Sequence, residues 1–363
     1  MKILMLVNWK ISYDEKETAK SKQPPDYYIT GEPYWFFRYF KEIPKVDVID
    51  VSSVSWLENF EREKLRFYVW QTLRAIPKIG KYDLIISHGM QSAVVLSLFR
   101  RLFKTKAKHM VFEIGSFNSA ATTGGALKLM QFASKSIDGF IYHTSQQIEY
   151  YREYFPWIVS KVHFMCYGAD TSFFVPMEVK AYKDDVEEIL CIGYRKRDWK
   201  TLLEAFDKLC ETSVGKTRKL RLKLIGKKDL QIQNESVSLL PYIPIEALKQ
   251  EIAKATICVV PLEDFNYSFG QMTLLQQMAM KKAVIVAKVP SVVDYVEDGK
   301  TALFYESQNA EDLCNKMIQL LEDKDMAADI AKQAASAVKK IYSEQRMAAD
   351  IEEVIKLIMH EAE

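Results

Sequence analysis

The sequence predicts an α/β protein built as two doubly wound parallel-sheet halves in tandem. Three observations carry this. Short apolar runs alternate with amphipathic stretches along the chain, as repeated β-α units require. The series of runs occurs twice, on either side of a charged, irregular segment from Lys180 to Glu188. At 363 residues the chain can hold two domains of ordinary size, each with its own core.

In the first half the runs place strands over Lys2–Val7, Val46–Val51, Asp83–Ser87, Met110–Ile114, Gly139–His143 and Val162–Tyr167. The first run stops at Asn8-Trp9-Lys10, too soon for a signal peptide and far short of a membrane span. Amphipathic patterns place helices over Glu61–Ile76, Ser92–Phe103 and Ala126–Ser136. The second series has strands over Ile189–Gly193, Leu222–Gly226, Ser236–Leu240, Thr256–Pro261, Ala283–Ala287 and Ala302–Tyr305. Helices around Glu311–Leu321, Met326–Ile341 and Glu344–Met359 close the chain.

Hydrophobic residues make up 48% and charged residues 27%, a soluble globular balance. A net charge of +2 argues against nucleic acid as the main partner. Cys166, Cys191, Cys210, Cys258 and Cys314 are widely spaced with no CxxC pair, so neither a disulfide framework nor a zinc site is expected. Reduced, cytoplasmic thiols fit better.

Three segments of the second half carry chemistry. In Ser268-Phe269-Gly270-Gln271-Met272-Thr273 a glycine beside polar residues starts a helix. Its apolar positions Met272, Leu275 and Met278/Ala279 share a face, and it leads into a buried strand. Such a helix start offers free N–H groups and a positive dipole end, which suit phosphate. In Cys191-Ile192-Gly193-Tyr194-Arg195-Lys196-Arg197 a strand runs into a tight basic loop before the next helix. Arginine there can clamp a diphosphate, although an isolated basic triplet also reads as a solvated loop. Leu240-Pro241-Tyr242-Ile243-Pro244 reads as a strand-to-helix turn.

Together with Gly168-Ala169-Asp170 and the following Phe173 and Pro176, these segments resemble retaining GT-B glycosyltransferases of family 4. The resemblance implies two Rossmann-like domains facing across a cleft. An acceptor-binding domain would span 1–170, a nucleotide-sugar domain 171–342, and a helix over 343–363 would cross back to the first. The donor would be held by Arg195, Arg197, Tyr242, Ile243, Ser268, Phe269, Gly270, Gln271, Met272, Thr273 and Gln276. Arg197 falls on the family's lysine; the family's arginine falls on Tyr194 or, after a one-residue slip, on Arg195. The sequence departs from the pattern where the family carries two glutamates, here Ser268 and Gln276. Glutamine keeps hydrogen bonds to ribose hydroxyls but without charge assistance, and serine lacks the reach of glutamate. Lys281 and Ala283 also replace the usual Gly and Pro.

The first half departs further, since Asn8 to Arg38 contains only Gly31 where the family has a Gly-rich loop. Gly31, Tyr34 and Trp35 are the expected acceptor contacts, because aromatic faces stack on sugar rings; alternatively Trp35, Phe36 and Tyr39 form one buried helix face. Glu113 stands close to the position of a family histidine that lines the reaction centre. It and His88, which ends the strand over Asp83–Ser87, are the expected catalytic residues. A strand-end acid is also an ordinary cap, and a lone histidine there is also an ordinary structural residue. The basic amphipathic stretch Ser97–His109 suits an anionic membrane surface, a phosphate-bearing acceptor, or simply a solvated helix end.

The resulting expectation is a cytoplasmic retaining transferase that moves a sugar from a UDP- or GDP-sugar to a hydroxyl acceptor. That acceptor would be a saccharide or lipid-linked saccharide of cell-surface polysaccharide synthesis, reached by peripheral contact with the inner membrane surface. No D-x-D stands at a strand end (Asp184-Asp185 falls in the linker), so no metal and no cofactor are expected. The replaced glutamates favour an alternative, a non-catalytic GT-B-fold partner subunit.

Overall fold

The computed structural model describes residues 1–14, 22–103, 105–113, 122–178, 186–193, 195–227, 229–265 and 267–360. Ile114, Tyr194 and the linker residues 180–185, all read above, lie outside the described residues. The chain divides into two compact units, Met1–Met165 with the chain end from Met347, and Cys166–Arg346. Gly168–Pro176 thus belongs with the second unit.

In the first unit, β1 (Lys2–Leu6), β4 (Lys45–Ile49), β5 (Leu84–His88), β6 (Lys108–Glu113), β7 (Gly139–Tyr142) and β8 (Val162–Phe164) form one sheet in the order β4-β1-β5-β6-β7-β8, every pair parallel. A short pair, β2 (Ser12–Tyr13) and β3 (Tyr27–Tyr28), lies outside it. The connecting helices are α1 (Ser55–Phe60), α2 (Val69–Ala75), α3 (Met90–Leu102), α4 (Gly124–Ser134) and α5 (Gln147–Tyr154). The central strands are apolar on both faces because helices cover both: Ile3–Leu6, Leu84–Ile86 and Met110–Phe112 are fully buried.

The single helix expected over Glu61–Ile76 is broken. Glu61–Leu65 form a π turn, Arg66 adopts a left-handed φ of 60°, and α2 starts only after Tyr68. The buried Glu61 carboxylate accepts the Trp70 amide at 2.7 Å, satisfying a donor at the new helix start. From Met347 onward the final helix packs in this unit: Ile358 lies against Gly139 with no room for a Cβ, and Glu352 accepts the Lys41 amide at 3.0 Å.

The second unit contains β9 (Glu187–Ile192), β10 (Leu220–Ile225), β11 (Val237–Leu240), β12 (Ile257–Val260), β13 (Val284–Ala287) and β14 (Leu303–Tyr305). Their order is β11-β10-β9-β12-β13-β14, again all parallel. The helices are α6 (Trp199–Glu211), α7 (Ser213–Thr217), α8 (Ile245–Lys254), α9 (Gln271–Ala279), α10 (Ala310–Glu322), α11 (Lys324–Lys340) and α12 (Glu344–His360), whose last part joins the first unit. This is the doubly wound order whose direction reverses beside the first strand, here between β9 and β12. In the first unit the reversal falls between β1 and β5. Ligands of such sheets bind outside the carboxyl ends of the strands at that reversal.

The second unit's chain enters and leaves side by side. Ala169 bridges to Ser343, its amide bonds Tyr342 O at 2.8 Å, and the Glu344 amide bonds Ala169 O at 2.8 Å. Gly168 is required there, since a Cβ would sit 2.5 Å from the Ser343 carbonyl oxygen. All five histidines fall in the first unit and all five cysteines, each a free thiol, in the second. Among the described residues no helix is long and apolar enough to cross a membrane.

Candidate functional site

The switch point of the second sheet is built around one cation. β9 ends at Gly193, whose φ of 127° turns the chain into the basic loop. Arg197 pairs with Leu262, just beyond β12, and the Asp198 amide bonds Pro261 O at 2.9 Å, so the loops after β9 and β12 are tied together. The Asp198 side chain then caps α6 by accepting the Thr201 amide at 3.0 Å.

The Arg197 side chain is only 4% exposed. Its Nε donates to Ile192 O at 3.0 Å, one Nη to Arg195 O at 3.2 Å and the other to the Thr273 hydroxyl at 2.9 Å. The Phe269 ring centroid lies 5.6 Å away. The guanidinium rests on the bare backbone of Gly193, where a Cβ would fall 2.6 Å from it. A guanidinium has five N–H groups, so two are left uncommitted. No carboxylate pairs with it among the described residues, and burial pulls its pKa below the usual guanidinium value.

α9 starts against this cation. Gly270, in the left-handed region at φ 89°, is its N-cap, and a Cβ there would strike the Leu262 side chain. The first turn contains no acid. Thr273 donates to Gly270 O at 3.0 Å while accepting from Arg197. Gln271 is spent on structure, donating to Ser291 O at 2.6 Å and accepting from the Ser268 hydroxyl at 3.3 Å. Gln276 is buried on the same helix.

Arg197, Phe269, Gly270 and Thr273 therefore come together, with Ser268 and Gln271 joined to each other. Arg195 lends its carbonyl to the cluster, but its side chain is exposed. Met272 is half-exposed, so the core face of α9 is Leu274, Leu275 and Met278 rather than the stripe expected through Met272. Tyr242 is exposed beyond the edge strand β11, and Ile243 packs against the core. Nothing in the sequence signals Leu262, and Gly193 is marked there only as the end of a strand, separated from the basic run by Tyr194.

The first switch point is apolar and aromatic. Trp9 follows β1 and meets the His88 ring edge-on at 4.6 Å, while Phe112 stacks on His88 at 5.4 Å. Burial lowers the His88 pKa to about 3, the nearby His143 assisting, and Nδ1 has no hydrogen-bond partner among the described residues. His143 directly follows β7 with Nδ1 2.9 Å from Met165 O, and burial lowers its pKa to about 4. Glu113 is fully buried at the end of β6, and its charge helps burial raise the Tyr150 pKa to about 12.

Tyr34 and Trp35 correct the expectation of an open aromatic acceptor surface. Both are buried: Tyr34 donates to Pro25 O at 2.9 Å, and Trp35 packs among Trp9, Phe36, His88 and Phe112. Gly31 alone of the three is exposed, in a turn with φ 88°. The basic stretch Ser97–His109 is partly structural as well. Arg100 pairs with Asp138 at 2.8 Å, and His109 bonds Ser87 at 2.9 Å inside the core.

Residues 186–323, most of the second unit, match the family model of glycosyl transferases group 1. Over the whole chain, sucrose-phosphate synthase from Thermosynechococcus elongatus superposes with a TM-score of 0.72 at 16% identity, covering 99% of this chain and 100% of that one. The fold is GT-B. The Anabaena protein HepE in complex with UDP gives a TM-score of 0.68 at 14% identity, covering 98% of this chain and 100% of its own. A glycosyltransferase from Rickettsia africae gives 0.69 at 17% identity, covering 99% and 98%. No curated protein sequence matches the chain.

Proposed function

We propose that the protein is a retaining glycosyltransferase that moves a sugar from a UDP- or GDP-sugar to a hydroxyl of a saccharide or lipid-linked saccharide. The Arg197 guanidinium carries this reading: buried, without a carboxylate partner, with two N–H groups uncommitted, and placed at the switch point beside the start of α9. Burying a lone cation is costly unless an anion arrives to meet it. A diphosphate is such an anion. As the bond from the sugar's anomeric carbon to the phosphate oxygen breaks, charge grows on the leaving diphosphate. A fixed guanidinium and the N–H groups opening α9 stabilise that charge without rearranging. This chemistry calls for neither metal nor cofactor. The family match of the second unit and the neighbour solved with UDP support the donor class.

On the first sheet we assign Glu113 to the acceptor hydroxyl and neutral His88 to its positioning. The free cysteines suit a reducing cytoplasm.

Calorimetry with UDP and GDP tests the central assignment. Arg197→Ala should weaken binding by about 1.5–3 kcal/mol, and Arg197→Lys, which keeps charge but not the fork, by less. Unchanged affinity for both nucleotides in a folded Arg197→Ala protein would sink it. Sugar transfer should persist in excess EDTA. One observation favours a second reading, a non-catalytic partner subunit: the first turn of α9 has no carboxylate. If UDP-, GDP- and ADP-sugars are neither consumed nor raise the melting temperature, that reading replaces the first.

A further inference from the structure

One surface of the first unit takes no part in the features above. From Val54 to Ala75, α1 and the π turn make one helical arm and α2 a second, with a bend at Arg66 between them, a hairpin in that sense only. It leaves Val54, Trp56, Phe60, Leu65, Trp70 and Leu73 in solvent, Trp56 being 70% exposed. Trp56 and Phe60 are four apart on α1, and Trp70 and Leu73 three apart on α2, so each helix presents an apolar stripe. The bond from the Trp70 amide to buried Glu61 ties the two arms together. Exposed apolar side chains are ordinary singly, but so dense a group marks an interaction surface.

The charges indicate the partner. Every acid of the hairpin is engaged: Glu58 with Lys10 at 2.9 Å, Glu63 with Arg62 at 2.9 Å, and Glu61 with the Trp70 amide. Lys64 and Arg66, flanking Leu65, are exposed and have no acidic partner among the described residues. The uncompensated charge is therefore positive. Indole rings and aliphatic chains beside free Lys and Arg match the headgroup layer of an anionic bilayer. A sugar platform would need free carboxylates or amides beside the rings; here the carboxylates are consumed, the Asn59 amide oxygen accepts from Arg62 at 3.0 Å, and Gln71 is buried and donates to Val7 O and Ile49 O. We infer that this hairpin docks the first unit on an anionic lipid surface. Trp56, Phe60, Leu65 and Trp70 enter the interface, and Lys64 and Arg66 meet the lipid phosphates.

The test is co-sedimentation of the full chain, without nucleotide, with phosphatidylcholine vesicles with and without phosphatidylglycerol. Binding is expected only with phosphatidylglycerol and should fall as salt rises. The double variants Trp56→Ala/Trp70→Ala and Lys64→Glu/Arg66→Glu should each weaken it about tenfold or more, with UDP affinity and melting temperature unchanged. Absence of binding, or equal binding by both variants, overturns the inference. So does a dimer in light scattering that Trp56→Ala/Trp70→Ala makes monomeric without any vesicle binding, since the hairpin then belongs to a second copy. Vesicle binding by a protein that binds no nucleotide would support docking while removing the donor assignment.

Discussion

The two units reverse their strand order in the same manner and finish the reversal with opposite chemistry. In the first, the chain ends beyond β1 and β5 are closed by Trp9, His88 and Trp35, a packed group in which the one titratable ring is held neutral by burial. In the second, the ends of β9 and β12 enclose a guanidinium whose partners are two carbonyls and a hydroxyl. A doubly wound sheet thus fixes where a site can lie, and the residues beyond the strands decide its chemistry, a neutral aromatic lining in one unit and a fixed cation in the other.

The largest expected consequence is a difference in acid stability. His88 and His143 have folded pKa values of about 3 and about 4, below the ordinary 6.5, and His109 is lowered in the same direction by burial. Their stabilising contribution is full above about pH 6.5 and is lost as pH falls toward the folded values, because only the unfolded chain takes the protons. Each histidine should cost about 1.4 kcal/mol per pH unit across that window. The second unit has no histidine. Tryptophan fluorescence, five of whose six emitters lie in the first unit, should therefore change mostly at higher pH than the buried Cys191 and Cys258 become reactive to 4,4′-dithiodipyridine, which labels thiols in acid. Coincident transitions would erase the contrast.

Trp35→Ala comes next. Removing this buried indole should cost about 3–5 kcal/mol of stability while leaving UDP affinity unchanged. A variant that melts like the parent but loses acceptor binding would return Trp35 to the role of an open sugar platform. The smallest effect belongs to Gln276→Ala, which should raise the donor KM by about fivefold, the worth of roughly one neutral hydrogen bond, and alter kcat less. A fall in kcat at constant KM would move Gln276 from ribose binding to the reacting centre.

Sequence pattern revealed the six strands of each main sheet, since fully buried parallel strands read as continuous apolar runs, but not their lateral order or the short pair β2 and β3. It also located the start of α9, because Gly270 beside polar residues is a local signal. It could not tell Arg195 from Arg197: which cation turns inward depends on Gly193 having no side chain and on Thr273, distant in sequence. Nor could it separate a buried Trp35 from an exposed one, as aromatic residues at helical spacing serve either purpose. The break at Arg66 was hidden because the apolar period continues on both sides, while the bond from the Trp70 amide to Glu61 that restarts the helix is tertiary.

The paired entry and exit of the second unit at Ala169 and Ser343 has a modular consequence. A piece whose two ends meet within hydrogen-bonding distance behaves as an insert in its host chain. Excision of 166–346 would sever its covalent ties at one place in space, and any host offering two adjacent chain ends could receive it. The meeting of the two ends makes the seat at Gly168 a natural splice point.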